Sequence, residues 1–129
     1  MAAKTAPPPK PTPAELDLLR LLWPLGRATV KQVHEAARKD RPDTSYATVL
    51  RLMQVMHGKG LLLRDESDRS HVYAPAQARD ALRGNLLDEL IHKAYAGSGK
   101  DLVMAALRGG HVSEAERAEI QKFLDGDDQ

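Results

Sequence analysis

The stretch from Thr44 to Tyr73 reads TSYATVLRLMQVMHGKGLLLRDESDRSHVY, and its hydrophobic period changes part-way along. At ~100° per residue, Val49, Leu52, Met53 and Met56 fall within one stripe of a helix that begins near Ser45. Ala47, Thr48, Arg51 and Gln54 lie on or toward the other side, and Gly58 and Gly60 mark the exit. Two short apolar runs follow, Leu61 to Leu63 and Ser70 to Ala74, around a polar tip from Asp65 to Arg69. That pattern predicts a hairpin with a loop longer than two residues. Val72 and Tyr73 make the second run the firmer strand. The three leucines are too few for periodicity to decide between helix and strand. The methionines of the stripe read as core rather than as a ligand set.

Upstream, two helices precede this one. Thr12 and Glu15 have the spacing of a capping box, with Pro13 in the first turn where a missing N–H costs nothing. Leu16, Leu19, Leu22 and Trp23 then recur at helical spacing until Pro24 and Gly26. Thr29 and Gln32 repeat the box, and Val30, Val33, Ala36 and Ala37 give a thin apolar face that stops near Lys39, before Pro42. Met1 to Pro11 holds Pro7, Pro8, Pro9 and Pro11 and predicts a disordered leader.

Downstream the pattern is helical. Gln77 to Tyr95 sets Leu82, Leu86, Leu90, Ile91 and Ala94 on one face, and Gly97-Ser98-Gly99 breaks it as a hinge. Leu102, Val103, Ala106 and Leu107 predict a short helix ended by Gly109-Gly110. Ser113 and Glu116 form a third capping box ahead of Ile120, Phe123 and Leu124. The fold class expected is mainly α with a small β-hairpin wing: a winged helix-turn-helix over 12–76, a helical dimerisation region over 77–124, a leader over 1–11 and an acidic tail over 125–129.

Composition bounds the function. There are no cysteines, which excludes disulfides, thiolate metal sites and cysteine nucleophiles. No apolar run approaches the roughly 18 residues that span a bilayer, and Met1 to Pro13 lacks the apolar core of a signal peptide. The expectation is a cytoplasmic protein. The net charge of +1 hides an asymmetry: residues 1–79 carry 13 Lys and Arg against 8 Asp and Glu, whereas residues 80–129 carry 6 against 10. A polyanion can meet the first part and is repelled by the second.

The chemistry for reading DNA sits on the third helix. A helix entering the major groove needs short polar residues near its start and a basic or amide side chain about one turn later. Ser45, Ala47 and Thr48 supply the first and Arg51 and Gln54 the second. Ala47 can touch a thymine methyl and Thr48 a base or phosphate. Arg51 can take guanine in two bonds or hold a phosphate, and Gln54 can take adenine or a phosphate. Lys31, Lys59, Arg64 and the wing-tip Arg69 are the candidates for backbone contacts.

On these residues the chain resembles the penicillinase-repressor family. Thr48-Val49 matches the Thr-Val of that family's reading helix, Lys59-Gly60 its exit, and Arg69 and Tyr73 its wing; Glu15, Leu16 and Trp23 match its first helix. The resemblance covers about residues 12–124. The pattern has Arg-Leu where this chain has Val55-Met56, and Gly where it has Asp68. The resemblance implies repression by a homodimer on a palindromic operator, with dimer contacts from the C-terminal helices through Leu86, Leu90, Ile91, Leu102, Ile120, Phe123 and Leu124. It also implies release by a membrane sensor protease cutting near Ala105 and Ala106, where the family has Asn-Phe. A copper-responsive branch uses a cysteine metal site that a chain without cysteine cannot form.

His34, His57, His71, His92 and His111 are scattered, with no pair at a metal-binding helical spacing. Gly97-Ser98-Gly99-Lys100 lacks the full phosphate-loop spacing, and no serine sits in a nucleophile context. No cofactor, metal or enzymatic activity is expected. Two other readings stay open: a winged-helix protein-interaction module and a regulator that responds to a small molecule.

Overall fold

The computed structural model describes residues 10–126. Most of the expected leader and the last three residues of the expected acidic tail lie outside them. The elements run α1 (Pro13–Leu25), α2 (Val30–Asp40), α3 (Tyr46–Gly58), β1 (Leu62–Asp65), β2 (Val72–Pro75), α4 (Arg79–Ala94), α5 (Gly99–Arg108) and α6 (Glu114–Leu124). The mainly helical class with a two-stranded wing is borne out.

Local chemistry sets the boundaries. All three capping boxes close in both directions, at Thr12–Glu15, Thr29–Gln32 and Ser113–Glu116, each satisfying two amides that a helix start leaves unpaired. Pro24 lies inside α1, which continues one residue past it to Leu25. Gly26 then ends the helix at φ +79°, with its amide donating to the carbonyls of Leu22 and Trp23. At the exit of α3, Gly60 has φ +86° with nothing within 4 Å of where a Cβ would stand. The dihedral, not space, asks for glycine there.

The chain divides into two compact units, the first ending at Arg83 and the second beginning at Gly84. In the first, α1 packs on α2, α2 on α3, α3 on β1, and α1 on β2. Its core is Leu18, Leu19 and Leu22 of α1, Ala28, Val30 and Val33 around α2, Val49, Met53 and Met56 of α3, then Leu61, Leu62, Tyr73 and Leu82. Leu18 is buried while Leu16, the residue placed on the apolar face by spacing, is only half-buried. Leu61 enters the core ahead of β1, and β1 pairs antiparallel with β2 in the register Leu63↔Ala74, Arg64↔Tyr73. The open choice for the three leucines is therefore resolved toward strand. Tyr73 exchanges both backbone hydrogen bonds with Ala28, at 2.8 and 2.9 Å, which stitches the wing to the turn between α1 and α2. Trp23, half-buried, donates its indole N–H to the Gln77 carbonyl at 3.1 Å. The first turn of α4 belongs to this unit, with Leu82 in its core.

The second unit holds the rest of α4, α5 and α6. Ser98 caps α5, and Arg117 of α6 donates to the Leu107 carbonyl at 3.0 Å. Neither α5 nor α6 has a buried residue.

Candidate nucleic-acid interface

The outward face of α3 is built by the same periodicity that builds its core face. Val49, Met53 and Met56 are buried, and at ~100° per residue the opposite side carries Ala47, Arg51, Gln54 and Val55. All four are exposed. Ser45 stands at the N-cap, where its hydroxyl accepts from the Thr48 amide at 3.1 Å and donates to the Thr48 hydroxyl at 2.8 Å. The Thr48 hydroxyl thus has one lone pair filled and its own proton left to donate, which suits an acceptor such as a base oxygen or a phosphate. Among the described residues, no hydrogen bond or ion pair engages the side chains of Arg51 and Gln54.

Lys31, Gln54, Arg64 and Arg69 are brought together around one open cleft between α2, α3 and the wing, with Tyr46 and His71 also on its wall. Lys31 and Arg69 are exposed and have no acidic partner among the described residues. Arg64 differs. Its guanidinium holds Glu66 at 2.6 Å, and the Tyr73 hydroxyl together with that carboxylate raises its pKa further above the ordinary arginine value. Its head group is already committed to organising the wing.

Lys59 is committed too. Its ammonium donates to both carboxylate oxygens of Glu15, at 2.8 Å each, and joins the end of α3 to the first turn of α1. Glu15 is the buried charged residue of the core. Burial pushes its pKa up, but the Lys59 hydrogen bonds and charge and the Thr12 amide outweigh this, so the net direction is down. The expected phosphate contact from Lys59 would therefore compete with an ion pair inside the domain. Sequence reading gave Glu15 its cap and missed its partner, which lies 44 residues away.

The wing carries acid as well as base. Asp65 accepts from the amide and hydroxyl of Ser67, at 2.9 and 2.7 Å, and pairs with Arg27 at 3.1 Å. These bonds, those from Ser67 first, lower its pKa, and Arg64 lowers that of Glu66. Both carboxylates thus meet a polyanion already partnered by an arginine. Asp68 stays exposed at the tip beside Arg69. Val55, 44% exposed, sits one turn after Arg51 on the outward face, where it can offer only an apolar contact.

A family model described as penicillinase repressor matches residues 11–126. The chain belongs to the penicillinase repressor family. Within it, the chain is 42% identical over 71 residues to the transcriptional regulator BlaI of Mycobacterium tuberculosis, in both strain CDC 1551 / Oshkosh and strain ATCC 25618 / H37Rv. Each match covers 54% of this chain and 51% of the relative, so the chain spans about half the length of the curated relatives it matches. Penicillinase repressors are transcriptional regulators and not enzymes.

The residues expected at a dimer contact lie in the second unit of this family member. Leu90, Phe123 and Leu124 are exposed at 49%, 64% and 69%, and Leu86, Ile91, Leu102 and Ile120 are half-buried. Ala105 and Ala106 are half-buried within α5. Among the described residues, no cluster of three or more His, Cys, Asp or Glu could hold a metal ion, and no helix is long and apolar enough to cross a membrane.

Proposed function

We propose that the chain is a homodimeric transcriptional repressor that places α3 of each protomer in the major groove of a near-palindromic operator. The observation that carries this reading is the solvated face of α3, where Arg51 and Gln54 are unengaged opposite a buried stripe. Ser45, Ala47, Thr48, Arg51 and Gln54 are the base-reading set. Lys31 and Arg69 grip phosphates, and Lys59 and Arg64 mainly hold the reading helix and the wing in place. Two such helices fit successive major grooves about 34 Å apart on one side of the duplex.

The second unit supplies the dimer contact. Its leucines and Phe123 lose contact with water only when a second copy covers them, at ~25 cal/mol per Å² of apolar area. Release follows from proteolysis in α5 near Ala105 and Ala106 by a membrane sensor protease. A helix without a buried residue unwinds into a protease cleft at little cost to any core.

Binding to an operator selected from a random duplex library, measured beside a scrambled duplex over a range of salt, tests the reading. Tighter binding to the selected site, with log Kd linear in log salt on both, is the expected result. No salt-dependent binding to either would sink it and leave a protein-interaction module.

A further inference from the structure

Tyr46 opens α3 with its side chain in solvent, 47% exposed, although an aromatic ring of that size ordinarily gains by burial. It is nevertheless held. The His34 ring of α2 meets it edge to face, with centroids 5.7 Å apart and planes at 89°. His34 is itself fixed, because its Nε2 lies 2.8 Å from the Thr44 carbonyl oxygen. A carbonyl can only accept, so Nε2 carries the proton and donates it. One imidazole thus ties down the turn just before the Ser45 cap and braces the first side chain after it. The Tyr46 hydroxyl has no hydrogen-bond partner among the described residues. Tyr46 stands on the wall of the cleft that also carries Lys31 and Arg69, and among the described residues no Asp or Glu lines that wall.

We infer that Tyr46 is a further DNA-contacting residue, its phenol donating to a backbone phosphate seated in this cleft between Lys31 and Arg69, and that His34 is its positioning residue. This rests on the DNA-binding reading above and adds to it a neutral donor. Two free cations with no carboxylate between them favour a phosphodiester oxygen as occupant. A phenol braced at a fixed angle gives that oxygen a direction as well as a charge. A phosphate contact carries no base preference, so Tyr46 sets the depth and register of α3 while Arg51 and Thr48 read the bases.

The test uses the full chain on two duplexes of about 30 base pairs, near three helical turns, one a selected operator and one of arbitrary sequence. Tyr46→Phe removes only the hydroxyl. It should weaken binding to both duplexes by about tenfold, the range of one hydrogen bond to a charged acceptor. Because no charge is lost, the slope of log Kd against log salt should stay unchanged, whereas Lys31→Ala should reduce it by about one. His34→Ala should weaken binding to a similar degree and add little to Tyr46→Phe in the double variant, the mark of a residue acting through its neighbour. Full affinity in Tyr46→Phe, with Arg51→Ala still weakened, would overturn this contact and leave the DNA-binding reading standing. Full affinity in both would bring down the two together. A His34→Ala loss that simply adds to that of Tyr46→Phe would remove the positioning role.

Discussion

The two units of this chain solve the problem of burying apolar surface in opposite ways. The first, 74 residues of described structure over 10–83, keeps thirteen apolar side chains below one-tenth exposure, drawn from three helices, both strands, the first turn of α4 and the connections at Ala28 and Leu61. The second has three helical segments and, among the described residues, buries none of its own, while Leu87, Leu90, Val103, Phe123 and Leu124 stand 45% to 69% exposed. Both have well-formed helix starts, so the difference is not one of local propensity. Three amphipathic segments without a sheet or a crossing helix beneath them do not enclose a core. A unit that holds its own core can present a rigid surface. A unit that does not leaves apolar faces for a partner, and in the homodimer proposed above its stability becomes a matter of concentration.

The most forceful way to break the contrast is to charge the second unit. Leu90→Asp with Phe123→Asp should convert dimer to monomer in sedimentation equilibrium. Operator affinity should fall by about a thousandfold, since the second half-site is no longer delivered at high effective concentration. A double variant that remains a dimer of full affinity would show that these faces do not meet.

A second test bears on the core that the first unit keeps for itself. Lys59→Met leaves the Glu15 carboxylate buried without a counter-ion and should cost about 2 kcal/mol in urea unfolding, less than a fully buried pair because the Lys59 head is partly solvated and screened. Glu15→Gln should cost less, since the orphaned Lys59, 38% exposed, can turn to water. Equal costs would contradict the burial asymmetry. The pair also sets a pH dependence. The Glu15 pKa is lowered on folding from an ordinary 4.5, so its contribution is complete above that value and is lost as pH falls through the lowered folded value. Glu15→Gln should flatten the stability curve in that acid range and leave it unchanged in shape at neutral pH.

How much of this was legible from residues follows the reach of each interaction. The three capping boxes were readable because donor and acceptor lie three residues apart. The stripe of Val49, Leu52, Met53 and Met56 was readable because one helix sets its period, although Leu52, at its edge, is only half-buried. The three leucines at 61–63 were not, since only pairing with Val72 to Pro75 makes β1 a strand. Leu18 was missed in favour of Leu16 because α1 is rich in leucine on adjacent faces, and the choice between them is made by α2 and β2. The Glu15–Lys59 pair is tertiary, and the engagement of Arg64 by Glu66 and Tyr73 depends on the register of the hairpin; among the described residues they leave Lys31, Arg51 and Arg69 as the free cations of the expected set. The second unit's helices were legible, while their lack of a core was visible only as an excess of apolar faces.

Smaller effects sharpen the comparison. Arg51→Ala should weaken operator binding by about 1.5 kcal/mol if it reads a base, with a much smaller loss on scrambled duplex and no change in melting temperature. Equal losses on both duplexes would assign Arg51 to phosphate. The smallest expected change is Ser113→Ala, which removes the α6 cap for about 1 kcal/mol. In the first unit such a loss would appear in unfolding alone. Here it should also raise the dimer dissociation constant, and an unchanged constant would detach α6 from the contact.

The chain has a single tryptophan, and its indole is pinned to the Gln77 carbonyl inside the first unit. Intrinsic emission excited at the red edge therefore comes from one fluorophore and reports one melting event, the opening of α1 from the segment that follows the wing. A variant that dissociates the second unit without disturbing that bond changes rotational correlation time but not emission wavelength. Anisotropy and spectral position, read from the same cuvette, thus separate loss of partner from loss of fold without any label.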